Sequence, residues 1–524
     1  FFFRLTLNST SCSSSRRMLP STRLLLATNA SRVRLFWPGA SMSTFLSSSF
    51  STESTSDDDV EIADEAVCGE IEEEEVTGAA APAPEPSLTR SVVTDLDSLP
   101  ITFSDISRAS VSIRSGIVRT PCVQSHFLSE IVGANVYLKS EFRQFTGSFK
   151  ERGARNAIQK LLQEDERPVG VIAASAGNHA LALAWHGKQL NVPVTVVMPH
   201  VAPMAKVDKC RKFGARVIIE GEHIGEAKVL AEELVASEQL SYVNGYDDPM
   251  ILAGAGTIGI EIIDDCPDVD AVVVPVGGAG LIAGVSCAIK TLKPDTQVFG
   301  VEPEFAASYT AASKAGKPVP FDVKPTLGDG LAVPVVGPHA FEVARHYVDE
   351  VVTCTEKEIS LSILRLVENE KMVVEGGGAS GLAACLPGGA LDRPSLKGKN
   401  VVIPLCGGNI DTTTLGRVLD RGLAADSRLV NFEAVVSDRP GGIARLTAVL
   451  CEEGASIKDI YHERAWLYTS IDQVRVKCVV ELQGKEHAMR LKKALLDKGY
   501  PLNWCIDDEP PAGSSDGFFQ HVTA

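Results

Sequence analysis

The chain has 524 residues, 44% of them hydrophobic, with 44 glycines and 28 prolines; that is too long for one ordinary core and predicts two or three domains. Its formal charge of -17 has the wrong sign for covering nucleic-acid phosphates and argues against an obligate nucleic-acid binder. No run of eighteen or more apolar residues occurs, so no membrane-spanning helix is expected.

The charge is unevenly spread. Residues 1–50 hold six arginines (Arg4, Arg16, Arg17, Arg23, Arg32, Arg34), twelve serines and no acid, the composition of an organelle transit peptide, with a mitochondrial matrix favoured over a plastid. An ordinary tail is the alternative. Residues 51–90 read as an acidic, disordered spacer, because thirteen acids between 51 and 86 leave little to bury. Without these two segments the charge is -10 for residues 87–524. The twelve cysteines from Cys12 to Cys505 form no Cys-x-x-Cys pair and no Cys/His cluster at zinc spacing. Reduced thiols and no metal site are therefore expected.

Residues 91–423 read as an α/β domain. Short β-branched runs alternate with amphipathic stretches, with strands predicted at Asn135–Lys139, Val169–Ala173, Val194–Val197, Arg216–Ile219, Ala271–Val276, Gln297–Val301 and Asn400–Leu405. Most are continuously apolar, as strands of a parallel sheet covered on both faces must be. Ligands gather beyond the carboxyl ends of such strands.

Four segments at those ends carry chemistry. Phe149-Lys150 follows the first strand and a Thr146-Gly147-Ser148 turn and opens a helix; the positive end of the helix dipole favours a neutral amine there, able to form a Schiff base. Ser175-Ala176-Gly177-Asn178-His179 follows the second strand, where small residues let backbone N–H groups face an anion. Gly277-Gly278-Ala279-Gly280-Leu281 follows the fifth and allows backbone to approach a phosphate. Gly278 to Ala283 also satisfies Gly-x-Gly-x-x-Ala, with Glu302 about twenty residues on, so a dinucleotide site is a rival reading. Cys406-Gly407-Gly408-Asn409 follows the last strand.

Residues 428–508 change pattern. Val430, Phe432, Ala434 and Val436 alternate with other residues, Asp438-Arg439-Pro440-Gly441-Gly442 turns into a helix at Ile443–Glu453, and strands follow near Ser456–Tyr461, Val474–Leu482 and Asn503–Asp507. With a helix carrying Ala488, Leu491 and Leu495, this predicts a ferredoxin-like βαββαβ unit. Residues 509–524 read as a tail.

In this order the four segments resemble fold-type II pyridoxal-phosphate enzymes, in particular the threonine and serine dehydratases, and Thr326-Leu327-Gly328-Asp329-Gly330 extends the likeness. The resemblance implies a tryptophan synthase β-like core of two subdomains. Lys150 would carry pyridoxal 5'-phosphate and act as base, with Phe149 beside it. Asn178 would meet the phenolic oxygen, and Ser175 to His179 the substrate carboxylate. Gly277 to Leu281 would cup the phosphate, although Ala279 departs from the family's four glycines. Cys406 would lie by the ring nitrogen, and a neutral thiol there favours β-elimination over reactions that need a long-lived carbanion. The implied reaction converts threonine to 2-oxobutanoate and ammonia, and serine to pyruvate, in isoleucine biosynthesis or threonine catabolism.

A serine racemase or serine dehydratase is the alternative, but racemases of this family place a serine where Ala176 stands. Their divalent-cation site would draw on Glu302 and the Ala306 carbonyl, and its third position here is Ser308. The C-terminal unit is similar to an ACT domain, with Asp438, Arg439, Pro440, Gly441 and Gly442 at its amino-acid effector turn. An inactive amino-acid sensor is the remaining rival. The family resemblance further implies a homodimer or homotetramer.

Overall fold

The computed structural model describes residues 98–165, 167–464 and 471–505. The segments read as address, acidic spacer and tail lie outside the described residues.

Strands β1 (Cys122–Gln124), β2 (Asn135–Lys139), β3 (Gly170–Ala174), β4 (Val194–Met198), β5 (Arg216–Ile219), β6 (Leu240–Tyr242), β7 (Ala271–Pro275), β8 (Gln297–Pro303), β9 (Glu350–Cys354) and β10 (Asn400–Pro404) belong to the larger, N-terminal part of the described residues. They make two sheets. The larger has the order β1-β2-β10-β7-β8-β9, and the smaller β5-β4-β3-β6. All neighbours run parallel except β1, which is antiparallel to β2.

The seven strands read from sequence thus divide between two sheets, the arrangement a two-subdomain core requires. Three further strands carry too little pattern to be predicted: β1 and β6 are three residues each, and β9 is mostly half-exposed. The continuous apolar runs conceal a period of two. Val272 and Val274 of β7 enter one core cluster, and Ala271 and Val273 the cluster on the opposite face. Likewise Val171 and Ala173 of β3 face away from Ile172. Each valine so buried contributes about 1.5–3 kcal/mol of transfer free energy, which commits both faces to helical cover.

An ionic lattice sits where the large sheet meets the helix Lys150–Leu161. The fully buried Arg152 donates to Glu141 at 2.7 and 2.8 Å and to Glu261 at 2.7 and 2.8 Å. Lys139 of β2, also fully buried, reaches Glu261 at 2.7 Å and the Thr120 carbonyl at 2.6 Å. Burial would push the Glu141 carboxyl up, but the Arg152 charge and hydrogen bonds hold it below its ordinary value.

The C-terminal unit has strands β11 (Leu429–Ser437), β12 (Ser456–Glu463), β13 (Gln473–Glu481) and β14 (Leu502–Cys505), with helices Gly442–Glu452 and Lys485–Asp497 between them. The antiparallel sheet order β12-β13-β11-β14 and the sequence βαββαβ are ferredoxin-like. Val430, Phe432, Ala434 and Val436 are buried under the helices, as their alternation predicts. The last strand is described to Cys505; residues 506 and 507 lie outside the described residues.

Candidate active site

The loops after β2, β3, β7 and β10 converge at the carboxyl ends of their strands, the place where parallel sheets hold ligands. Lys150 is the first residue of the helix Lys150–Leu161, and its preceding residue Phe149 gives no side-chain cap. Its Nζ donates to the Gly245 carbonyl at 2.5 Å and lies 5.0 Å from the centre of the Phe149 ring. Burial pushes the amine down to about 8, against the opposing influence of Cys406 and Glu375. A sizeable fraction is therefore an uncharged nucleophile near neutral pH.

The Lys150 segment is tied to the Cys406 loop. The Phe149 N–H donates to the Cys406 carbonyl at 3.0 Å, and the Gly408 N–H to the Gly147 carbonyl at 2.9 Å. The Cys406 thiol is buried, 3.3 Å from the Pro404 carbonyl, and burial raises it well above its ordinary value. It stays neutral.

Asn178 opens the helix Asn178–Leu190 with Gly177 before it. The Asn178 amide donates to Glu375 Oε1 at 2.6 Å and accepts from Asn409 Nδ2 at 2.9 Å. His179 turns its ring inward, with Nε2–H donating to the Val243 carbonyl at 2.9 Å. Burial, reinforced by Lys150, pushes the His179 imidazole down to about 3, so it is neutral. Ser175 Oγ accepts from the Gly177 N–H at 3.3 Å, and Ala176 packs its methyl against the small-sheet core.

The loop Gly277–Ala279 leads into the helix Gly280–Leu292, again without a side-chain cap. It is pressed against Tyr246: a Cβ on Gly278 would lie 2.3 Å from the Tyr246 ring, and one on Gly280 2.3 Å from its carbonyl. Leu281 sends its side chain into the core, leaving its backbone for the loop. Ala279 carries φ of +70°, the left-handed region that strains a residue with a Cβ. The family's usual glycine there would relieve that strain.

Three helices therefore begin near one another, none of them with a side-chain cap. Such starts are anion sites, and a ligand with both a phosphate and a carboxylate can use more than one of them. Three polar atoms close to these starts, Thr146 Oγ1, Ser148 Oγ and His179 Nδ1, are buried without a hydrogen-bond partner among the described residues. A Cβ on Gly177 would meet nothing within 4 Å. A nucleophilic amine, unsatisfied polar atoms, open space and an anion cradle together fit pyridoxal phosphate. Lys150 would hold it, with the Gly277–Gly280 backbone at its phosphate and Asn178 and Cys406 at its ring.

The chain belongs to the pyridoxal-phosphate dependent enzymes, whose family model matches residues 113–407. Within that class its relatives are specific. The L-threonine ammonia-lyase of Thermotoga maritima is 42% identical over 402 residues, covering 77% of this chain and 99% of the relative. Among solved structures, the processed form of threonine deaminase isoform 2 from Solanum lycopersicum matches with a TM-score of 0.60 and 34% identity, over 65% of this chain and 98% of its own. Maize serine racemase matches with a TM-score of 0.57 and 28% identity, over 62% and 98%.

The sequence singled out neither Glu375 nor the segment Asn244–Asp247. Yet Glu375 is the only charged residue between Lys371 and Asp392, a usable signal. The Asn244–Asp247 turn, which supplies the Gly245 carbonyl and the Tyr246 wall, carries no comparable mark. Glu302 caps the helix Ser308–Ala315, accepting from the Tyr309 and Thr310 N–H groups at 2.6 and 2.9 Å and from the Thr310 hydroxyl at 2.7 Å. Burial pushes its carboxyl up to about 7. Asp438 to Gly442 are not part of the Lys150 site. Asp438 to Gly441 precede the helix Gly442–Glu452 of the C-terminal unit and Gly442 opens it; Asp438 accepts from Arg464 at 2.9 and 3.0 Å.

Proposed function

We propose that this protein is a threonine ammonia-lyase that eliminates water from L-threonine and releases 2-oxobutanoate and ammonia, with L-serine giving pyruvate. The observation that carries the reading is the Lys150 amine, its proton affinity lowered by burial and set among three helix starts without side-chain caps. Bound pyridoxal phosphate supplies a carbonyl for the amines and a conjugated ring that spreads the charge left by a departing α-proton.

The chain's residues do the rest. Lys150 would hold the cofactor and, once the substrate amine has taken its place, would take the α-proton on Nζ. The Asn178–Leu190 helix start draws the substrate carboxylate by its dipole and free N–H groups. Cys406 and His179, both neutral, would add no charge beside the cofactor, which favours elimination over reactions that need a long-lived carbanion. The β-hydroxyl would leave as water with the proton that Lys150 Nζ took, and the released enamine would tautomerise and hydrolyse to the 2-oxo acid and ammonia. Ala176, where a racemase needs a proton donor, offers only a methyl group, which favours elimination over racemisation. Threonine and serine differ by one methyl, about 1–3 kcal/mol in an apolar pocket, so both are expected to react.

The purified protein is expected to show the cofactor's visible absorption band, to lose it with borohydride, and to form 2-oxobutanoate from threonine. Absence of the band, or a band indifferent to both borohydride and Lys150→Ala, would overturn the reading.

The C-terminal unit we read as an ACT domain that senses an amino acid at Asp438–Gly442, isoleucine being the first to test. Superimposable isoleucine inhibition curves for the full chain and Asp438→Asn would remove that turn from feedback. Residues 1–50 serve in this reading as a mitochondrial address, testable by fusing them to a fluorescent protein. The enzyme is expected to be a homodimer or homotetramer, which its mass in solution decides.

A further inference from the structure

Glu375 is the acid that no part of the reaction so far uses. It precedes the helix Gly376–Cys385, and its backbone is pinned on both sides: its N–H donates to the Gly407 carbonyl at 2.9 Å, and its own carbonyl accepts from Gly378 and Ala379 at 2.9 and 3.0 Å. Its side chain is buried against the Cys406–Asn409 loop. A Cβ on Gly407 would lie 2.1 Å from Glu375 Oε1, so the glycine there makes room for the carboxyl.

The carboxyl accepts from one side-chain amide. Asn178 donates to Glu375 Oε1 at 2.6 Å and accepts from Asn409 at 2.9 Å, while Asn409 also donates to the Thr146 carbonyl at 2.7 Å. Asn178 is thus fixed at both ends by residues about two hundred positions away in sequence, with one amide hydrogen left over. No ion pair to Glu375 occurs among the described residues. The charged or titratable groups that act on it, or that it acts on, are Asp329, Lys206, Lys150 and Cys406.

We propose that Glu375 is a positioning residue of the lyase reaction, which holds the Asn178 amide so that its remaining N–H faces the cofactor space in front of Lys150. The proposal rests on the pyridoxal reading of that site. Because an ionised acceptor holds an N–H more strongly than a neutral one, the hold tightens when Glu375 loses its proton. Burial, aided by Asp329, pushes that carboxyl up to about 7. Activity should therefore rise with pH through about 7.

Stability should move the other way. A carboxyl raised on folding stabilises the fold fully below its ordinary unfolded value, and that contribution is lost as pH rises through about 7. Opposite slopes of activity and stability across one pH window distinguish Glu375 from a residue that only supports the fold.

The test uses the full-length holoenzyme, with threonine turnover and the visible band of the wild type establishing the parent reading first. In Glu375→Gln the side chain can still accept from Asn178 but cannot ionise. Its kcat/KM is expected to lose the inflexion near pH 7 and to stay near the wild type's low-pH level, about three- to tenfold below the wild type at pH 8. The cofactor band should persist and lose the same pH dependence, and the unfolding midpoint should flatten over that range. Glu375→Ala should lower kcat further, with Glu375→Gln restoring part of it. In an Asn178→Ala background, Glu375→Gln should have no added effect. An inflexion that survives Glu375→Gln overturns the proposal, as does an effect that is undiminished without Asn178. If Glu375→Ala does not fold, the Glu375→Gln profile alone decides.

Discussion

The helix that begins at Lys150 and the helix that begins at Gly442 both follow a glycine-containing turn and both lack a side-chain cap, yet they stand in opposite surroundings. The first opens into a space shared with two other uncapped helix starts, beside buried groups whose proton affinities are far from ordinary. The second stands alone, and its neighbouring Asp438 is paired with the well-exposed Arg464. The difference teaches that a helix start becomes a reaction site through convergence and exclusion of water, because charge interactions inside a dry site far exceed those at the surface. A lone exposed start is suited at most to reversible binding of a small ligand.

Four substitutions sharpen that contrast. Lys150→Ala removes the proposed attachment point and base, so turnover should fall at least about 10³-fold, measured as 2-oxobutanoate release with cofactor in excess; a smaller loss would move the base elsewhere. Arg152→Ala strands the buried Glu141 carboxylate and should cost about 3–5 kcal/mol in urea unfolding. A cost comparable with a surface pair would mean that the lattice under the lysine helix is not what steadies it. Ala279→Gly should relieve the left-handed strain in the Gly277–Gly280 loop and, after the added flexibility of glycine, raise stability by about 0.5–1 kcal/mol. A loss instead would show that the Ala279 methyl is needed in the core. Asp438→Asn should change stability least, by less than about 1 kcal/mol, since an exposed ion pair is screened by water and salt.

Much of this molecule is legible from its sequence. The valines of β7, the alternation of β11 and the four loop motifs each declare themselves over five to ten neighbouring residues. Local signals of this kind record burial and backbone requirements, which a short window contains. The division into two sheets was not legible from composition or periodicity, because Val171 and Val272 look alike in sequence and differ only in which strands they meet. Glu375 was missed for a related reason: its partner Asn178 is 197 positions away. The Gly245 carbonyl and Tyr246 are ordinary turn residues until the fold brings Lys150 and Gly278 against them.

By itself, then, the sequence determined most of the secondary elements, because each depends on residue type and nearest neighbours, and the order of its four loop motifs pointed to the lysine and its class of chemistry by family resemblance. Only the tertiary structure decided the protonation states and the hydrogen-bond order of the site. Those depend on how far each group is withdrawn from water and on which charge faces it, and for Lys150, Asn178 and Glu375 both are set by chain segments remote in sequence.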